Sequence, residues 1–548
     1  MKNQFFDGRA GFTPNPDGPF PGPDFPELPG RYERLPQIII DELRHIRYGP
    51  ATIKILIVVD GSIMFDSTGF GLGRVIDTLT DTTQPDFPSY ARFDITKATR
   101  ASQMFGMTSR TDADDYDFVF NSGSLDPYDE LWLFGINDEN DFISDAEAAV
   151  IADFMNAGGG VLAMGDHEDL GLGLCGKIPR VRSMRKWWFD PVPAGELKAP
   201  DNTDLTRIDT VQPVTPGGDP NLGTQSDIVP QPIWPRYRLR FSGGRLVSYP
   251  HPVLCGPRGV IKVFPDHAHE GDCLVPADLS KPLFTGSALP EYPGGLAPEV
   301  IAQGRTVAGR TKSVYTLPNS DPFGLLGAYN GHHSAANVGR VLVDATWHHW
   351  FNVNLNAFAT SANPTVQTHW YDIQAFFRNC AIWLAPKGKQ AAMRRAGQLI
   401  SIHIYPVVEF IESAIRRFRF EDLYHLGIYA TDALGRLASR CQTTTWIFEP
   451  LRPIFPRFFE EFHFEERMME MSMMEAAMSR QAYDAMSMAA YGGAICALYK
   501  EVKKIKKADA CEIEKDMDEI MQKGAKEGMK IAQKALGDAC KQMEKMMK

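Results

Sequence analysis

The sequence points to an α/β protein, a mostly parallel sheet with helices on both faces, followed by an all-α C-terminal region. Three observations carry that expectation. A continuous β-branched run within 54–60, and strand-like runs at 128–134, 161–164 and 340–344, suit strands buried on both faces, as in parallel sheets. Strand, helix and strand follow one another with short connections, which is the right-handed crossover. From 389 to 548 the spacing turns helical and glycine becomes sparse.

Taken in order, residues 1–36 form a Pro/Gly-rich arm, with prolines at 14, 16, 19, 21, 23, 26, 29 and 36, a composition for extended chain. The run 54–60 ends in Asp60-Gly61-Ser62, and the glycine loop 69–73 leads into a helix at 74–79. That loop lacks the full dinucleotide fingerprint. Residues 91–95 give a second strand and 128–134 a third. Ser144 and Glu147 are spaced as a capping box for a helix that Gly158 ends. The strand 161–164 then stops at Gly165-Asp166-His167-Glu168-Asp169.

A long insertion at about 171–250, rich in proline, glycine and aromatics, has the length of a lid or binding surface. Strand patterning returns at 259–264, ending in Asp266-His267-Ala268-His269-Glu270, with a further edge strand at 311–316. The run 340–344 ends in Thr346-Trp347-His348-His349, and a helix at 370–385 closes the α/β domain, 37–386, with 386–388 as a hinge. In the helical domain, 389–548, the segment 399–412 reads as a buried helix or helix pair. A methionine-rich stretch at 465–488 suits adaptable packing. The lysine-rich 501–548 reads as an amphipathic pair broken near 509–511 and Gly524.

The chain of 548 residues has a net charge of -11, which argues against nucleic acid as a partner. Its 8 cysteines form no C-x-x-C pair, the pattern of reduced thiols in the cytoplasm. Residues 1–12 lack the apolar core of a signal peptide, and no run of about 20 apolar residues could span a membrane.

Function is expected where parallel strands end, because their carboxyl ends share one edge of the sheet. Asp60, Asp166-His167-Glu168, His267, His269-Glu270 and His348 all follow strand-like runs. Such a set supports two chemistries. His267, His269 and His348 could hold a divalent metal, zinc or manganese, that activates water. Asp166, His167, Glu168 and Glu270 could instead move protons without a metal, with Asp166 or Glu168 as general base. Asp60, Arg182 and Arg185 are the candidate substrate contacts, the arginines as a clamp for an anionic small molecule. A structural or ligand-binding network is the third alternative. His348 and His349 are adjacent, so on an extended chain they point opposite ways.

Asp60 after the first strand, the turn 158–160 into a strand and sharp elbow, and a late His-bearing segment resemble the class I glutamine amidotransferase-like superfamily, including its ThuA-like branch. The resemblance covers about 50–386 and implies a flavodoxin-like, amidotransferase-like sheet. It would put Gly165 or Asp166 where the family carries its cysteine nucleophile, with His269-Glu270, or His267 and Glu270, where the family has its histidine and acid. No cysteine occupies that elbow and Cys175 lies beyond it, so the chain departs from a conventional glutamine amidotransferase. The leading expectation is therefore a hydrolase-like enzyme, metal-assisted or not. The alternatives are a catalytically inactive ligand-binding or assembly subunit of a homo-oligomer that uses the arm and helical tail, and a sensor domain coupled to a helical effector.

Overall fold

The computed structural model describes residues 50–100 (except 62 and 85), 118–137, 142–166, 170–187, 228–265 (except 229, 243 and 244), 271–305 (except 285), 322–414, 419–454 (except 452), 473–504 and 510–547. The arm 1–36, the expected edge strand 311–316 and residues 465–472 of the methionine-rich stretch lie outside these residues.

In chain order the α/β part runs β1 (Ala51–Val59), α1 (Gly73–Thr80), β2 (Ala91–Thr99), β3 (Glu130–Phe134), α2 (Asp145–Asn156), β4 (Gly160–Met164), β5 (Trp234–Pro235), β6 (Glu299–Arg305), β7 (Pro322–Tyr329) and β8 (Val341–Asp344). These strands make one eight-stranded sheet in the order β2-β1-β3-β4-β8-β7-β6-β5. The first five are mutually parallel, and β7, β6 and β5 extend the sheet through antiparallel pairs. Residues of β1, β3, β4 and β8 are almost wholly buried, which is why their sequences are continuous apolar runs rather than alternating ones.

The crossover through α1 runs one way across the sheet and that through α2 the other, so right-handed connection puts these helices on opposite faces. α2 begins as its sequence dictates. Glu147 N–H donates to Ser144 Oγ at 3.2 Å while Ser144 N–H donates to Glu147 Oε2 at 2.8 Å. Gly158, at φ 104°, takes the left-handed conformation that ends it. On the α1 face, α3 (Asn352–Thr360) and α4 (Pro364–Leu384) follow β8. Trp132 and Phe134 of β3 reach them through Trp350, whose ring packs on Phe376 and Phe377 of α4.

Four outcomes differ from the sequence expectations. The run 259–264 does not join the sheet: Gly259–Val260 pairs with Cys255–Gly256, and Val263–Phe264 pairs with Gln231–Pro232, both antiparallel. Gly259, at φ 134°, closes the tight turn of the first of these ladders. The insertion contains a hairpin, Tyr237–Ser242 with Arg245–Pro250. The 386–388 corner is packed: Ala385 is buried, and Lys389 Nζ binds Asp129 Oδ2 at 3.1 Å and the Thr52 carbonyl at 2.5 Å. Finally, Gly524 breaks no helix.

The C-terminal helices are α5 (Lys387–Ser401), α6 (Tyr405–Ala414), α7 (Phe420–Leu437), α8 (Arg440–Phe448), α9 (Met473–Lys504) and α10 (Ala510–Met546). Their core is continuous with that of the sheet. They meet the amino ends of the strands: besides the Lys389 contacts, the Tyr90 ring before β2 packs on Trp446 of α8 at 4.8 Å. α10 runs unbroken through Gly524 because that glycine, with Gly528, allows the backbones of α9 and α10 to touch. A Cβ on Gly524 would stand 2.4 Å from the Gly493 carbonyl oxygen. Asp518 of α10 ties the pair to α5, accepting from Arg394 at 2.8 Å and Arg395 at 3.0 Å.

Candidate active site

β1, β3, β4 and β8 lie side by side, so the polar residues that follow them share the carboxyl edge. The reversal of strand order falls between β1 and β3, where open sheets leave a ligand crevice. Here Asp60 closes it. Its Oδ1 accepts from the backbone N–H groups of Ile136 at 2.5 Å and Asn137 at 3.1 Å. The expected substrate contact thus holds two strand ends together.

The next gap, between β4 and β8, gathers the ionisable groups. β4 ends at Gly165, which must be glycine: a Cβ there would meet the Leu170 carbonyl oxygen at 2.6 Å and the Trp187 ring at 2.7 Å. Gly171, at φ 89°, lies against Gly165, and Asp166 N–H donates to the Leu170 carbonyl at 2.9 Å, pinching the elbow. Asp166 is 1% exposed. Thr346 Oγ donates to its Oδ1 at 2.8 Å, and His348 Nε2 stands 3.5 Å from its Oδ2.

The segment after β8 is a 3-10 turn, Trp347–His349, capped by Thr346 Oγ accepting from His348 N–H at 3.0 Å. The turn sends the two histidines to different carboxylates. His348 Nδ1 lies 2.8 Å from Asn354 Oδ1, and its Nε2 faces Asp166. His349 is wholly buried between Asp344 Oδ1 at 2.8 Å and Gln231 Oε1 at 3.3 Å. Trp350 Nε1 donates to the other Asp344 oxygen at 2.9 Å, which marks that pair as part of the core.

Asn354 orients the His348 ring through Nδ1, and this turns Nε2 toward Asp166 Oδ2, so two groups able to exchange a proton face each other.

Arg185, 2% exposed, bridges the two strand ends. Its guanidinium donates to the carbonyls of Asp166 and Ala345, the latter at 2.8 Å, and lies 4.5 Å from the Trp187 ring centre. Arg182 is held elsewhere: it pairs with the buried Glu291 carboxylate at 3.2 Å and reaches the Pro282 carbonyl at 3.1 Å. Cys175 does come to this edge, donating from Sγ to the Met164 carbonyl at 3.4 Å. Burial, with the Asp60 charge nearby, pushes its thiol pKa far up, so it is a neutral thiol.

The structure therefore brings Asp166, His348 and Arg185 together, while Asp60 and Arg182 have other partners. His167, Glu168, His267, His269 and Glu270 lie outside the described residues. The flanks of 266–270 reach this edge, since the Phe264 ring sits 4.8 Å from His349 and Gly271 N–H donates to the Ala345 carbonyl at 3.0 Å. Among the described residues no three His, Cys, Asp or Glu side chains converge as metal ligands. Sequence reasoning missed Asn352, Asn354 and Thr346. Their signal was polar residues set inside an otherwise apolar, aromatic segment, 341–355.

No family model matches the chain. None of the curated proteins matches it either. Among solved structures, a ThuA-like protein from Parabacteroides merdae is a weak neighbour. It shares 13% identity at a TM-score of 0.28, over 62% of this chain and 91% of that one, too slight an overlap to carry residue roles across.

Proposed function

We propose that the chain is a hydrolase-type acid–base enzyme acting on a small molecule at the carboxyl edge, with Asp166 and His348 as its proton-moving pair. The observation that supports this most is the His348 ring, placed between Asp166 and an orienting Asn354. A carboxylate, an imidazole and a third group that fixes the imidazole are the parts general acid–base catalysis needs. Asp166 takes the proton of an attacking water or hydroxyl as its oxygen bonds to the substrate, His348 Nε2 can accept that proton in turn as an imidazolium, and the proton goes to the leaving group as its bond breaks.

The 3.5 Å separation is loose for a hydrogen bond, as unliganded catalytic pairs often are. A divalent zinc or manganese would extend the same reading, with Asp166 and His348 as two ligands and His267 and His269 as further ones. Elemental analysis of the purified chain tests that extension: a stoichiometric metal supports it, and its absence leaves proton transfer alone.

The full chain should hydrolyse at least one member of a panel of p-nitrophenyl esters, phosphates and glycosides. Asp166→Asn and His348→Gln should each lower that turnover by about 100-fold or more. Equal turnover in both variants would remove the pair from the reaction.

The burial of Asp166 and His348, 1% and 2% exposed, favours a second reading, in which the pair is structural and the chain a ligand-binding or assembly subunit. In that case the two substitutions lower the unfolding midpoint and no panel member is turned over. Association into a homo-oligomer is part of this reading. Sedimentation of the intact chain tests it, because the helical region shares its core with the sheet and cannot be cut away cleanly.

A further inference from the structure

The loop between β1 and α1 carries a large ring that the proton-transfer pair does not explain. Phe70 is 40% exposed at the carboxyl edge, although a phenyl ring gains by burial. Single exposed apolar residues are ordinary on protein surfaces. The frame beneath this one is not.

Asn352, wholly buried, binds the loop at three points. Its Nδ2 donates to the carbonyls of Asp66 and Thr68, each at 2.7 Å, and its Oδ1 accepts from Arg74 N–H at 2.9 Å. The backbones are joined as well, with Asn352 N–H to the Gly71 carbonyl at 2.9 Å and Val353 N–H to the Gly69 carbonyl at 2.8 Å. Gly71 permits this closeness, since a Cβ there would stand 2.4 Å from the Asp66 carbonyl oxygen. The Phe70 ring is thereby fixed in place with part of its surface in water.

It is also fixed beside the chemistry. Phe70 lies 5.5 Å from the Trp347 ring and 5.8 Å from that of Phe351, and Trp347 lies 3.7 Å from the His348 ring at 30°. A continuous run of rings therefore leads from solvent to the Asp166–His348 pair. One short turn controls both ends of the run, because Asn352 sets the loop and Asn354 orients His348.

We propose that the ligand handled by this pair carries a flat aryl or heteroaryl ring that stacks on Phe70. The inference rests on the acid–base reading above for the site, but Phe70 can be tested without any turnover. Offset or edge contact between flat rings favours an aromatic group over a saturated ring of equal size.

The test is saturation-transfer NMR on the intact chain with three probes: benzyl alcohol, cyclohexylmethanol and methyl α-glucoside. Benzyl alcohol should bind in preference to the other two. Phe70→Ala should weaken it at least about fivefold, and Phe70→Leu, which keeps the apolar bulk and the fold, should weaken it likewise. Phe70→Tyr should retain binding. Equal binding of benzyl alcohol and cyclohexylmethanol, preference for the glucoside, or indifference to both Phe70→Ala and Phe70→Leu would overturn the proposal. Loss of ring preference with hydrolysis still dependent on His348 would overturn this inference and leave the acid–base reading standing. Ring binding through Phe70 with no hydrolysis would do the reverse.

Discussion

Replacing Arg185 by alanine should destabilise the chain by about 1–3 kcal/mol and separate the two strand ends that carry Asp166 and His348. The guanidinium donates to the carbonyls of Asp166 and Ala345, one after β4 and one after β8, and it is 2% exposed. Removing it takes this donor from the buried Asp166 carbonyl, a loss that costs about 1–3 kcal/mol, while the Ala345 carbonyl keeps the Gly271 N–H. Relief from burying a positive charge offsets part of this. Arg185→Lys should recover part of the loss, because one nitrogen, Nη2, donates to both carbonyls and an ammonium can do the same, whereas the planar contact with the Trp187 ring is lost. Urea unfolding of the variants measures the first effect. Lysine behaving like alanine would mean that the ring contact, not the two hydrogen bonds, secures the edge.

Glu130→Gln should act in the opposite direction and stabilise the fold at neutral pH. Glu130 opens β3 and is wholly buried; Trp132 Nε1 donates to its Oε2 at 2.9 Å. Burial pushes its carboxyl pKa well above the ordinary 4.5, the Trp132 hydrogen bond opposes that, and the Asp129 charge adds to it. With the folded pKa raised, both states are protonated at low pH and no cost arises. As pH climbs past the unfolded value, the unfolded chain ionises while the folded chain stays neutral, so stability falls by about 1.4 kcal/mol per pH unit until the folded group titrates. Glutamine keeps the acceptor for Trp132 and removes the proton equilibrium. The gain over wild type should therefore be small near pH 4 and grow as the pH rises through the unfolded value. Unfolding midpoints of the two proteins across this range are the measurement. A difference that does not grow with pH would mean that Glu130 is not held neutral.

The central parallel strands of this fold could be read from residues because each has an apolar, buried centre: the runs 54–60, 128–134, 161–164 and 340–344 overlap β1, β3, β4 and β8. The antiparallel extension gave no such signal. β6 and β7 contain Gly304, Gly324 and Gly327, β7 starts at Pro322, and the β6–β7 register shifts between Val300 and Gln303, so neither periodicity persists. Residues 259–264 mislead for a related reason. Two short ladders bury the same apolar side chains as one central strand, and composition cannot tell them apart.

The carboxyl edge as the place to look, and Asp166 with His348 on it, followed from strand ends alone. The partner choice within the edge did not. Whether Asp60 meets a ligand or the amides of Ile136 and Asn137, and whether Arg182 meets a substrate or Glu291, depends on contacts between residues far apart in sequence. Asn352 and Asn354 escaped notice because a buried amide has no periodic signature.

The coupling of Asp166 to His348 is most directly tested by nitrogen NMR of the intact chain labelled with 15N-histidine at neutral pH. The His348 signals are identified by their loss in His348→Gln. If the two groups are coupled through Nε2 and Oδ2, the His348 ring nitrogens shift in Asp166→Asn while those of His349, bound to Asp344, stay in place. His348 signals identical in the wild type and Asp166→Asn would contradict the coupling and, with it, the proposed active site.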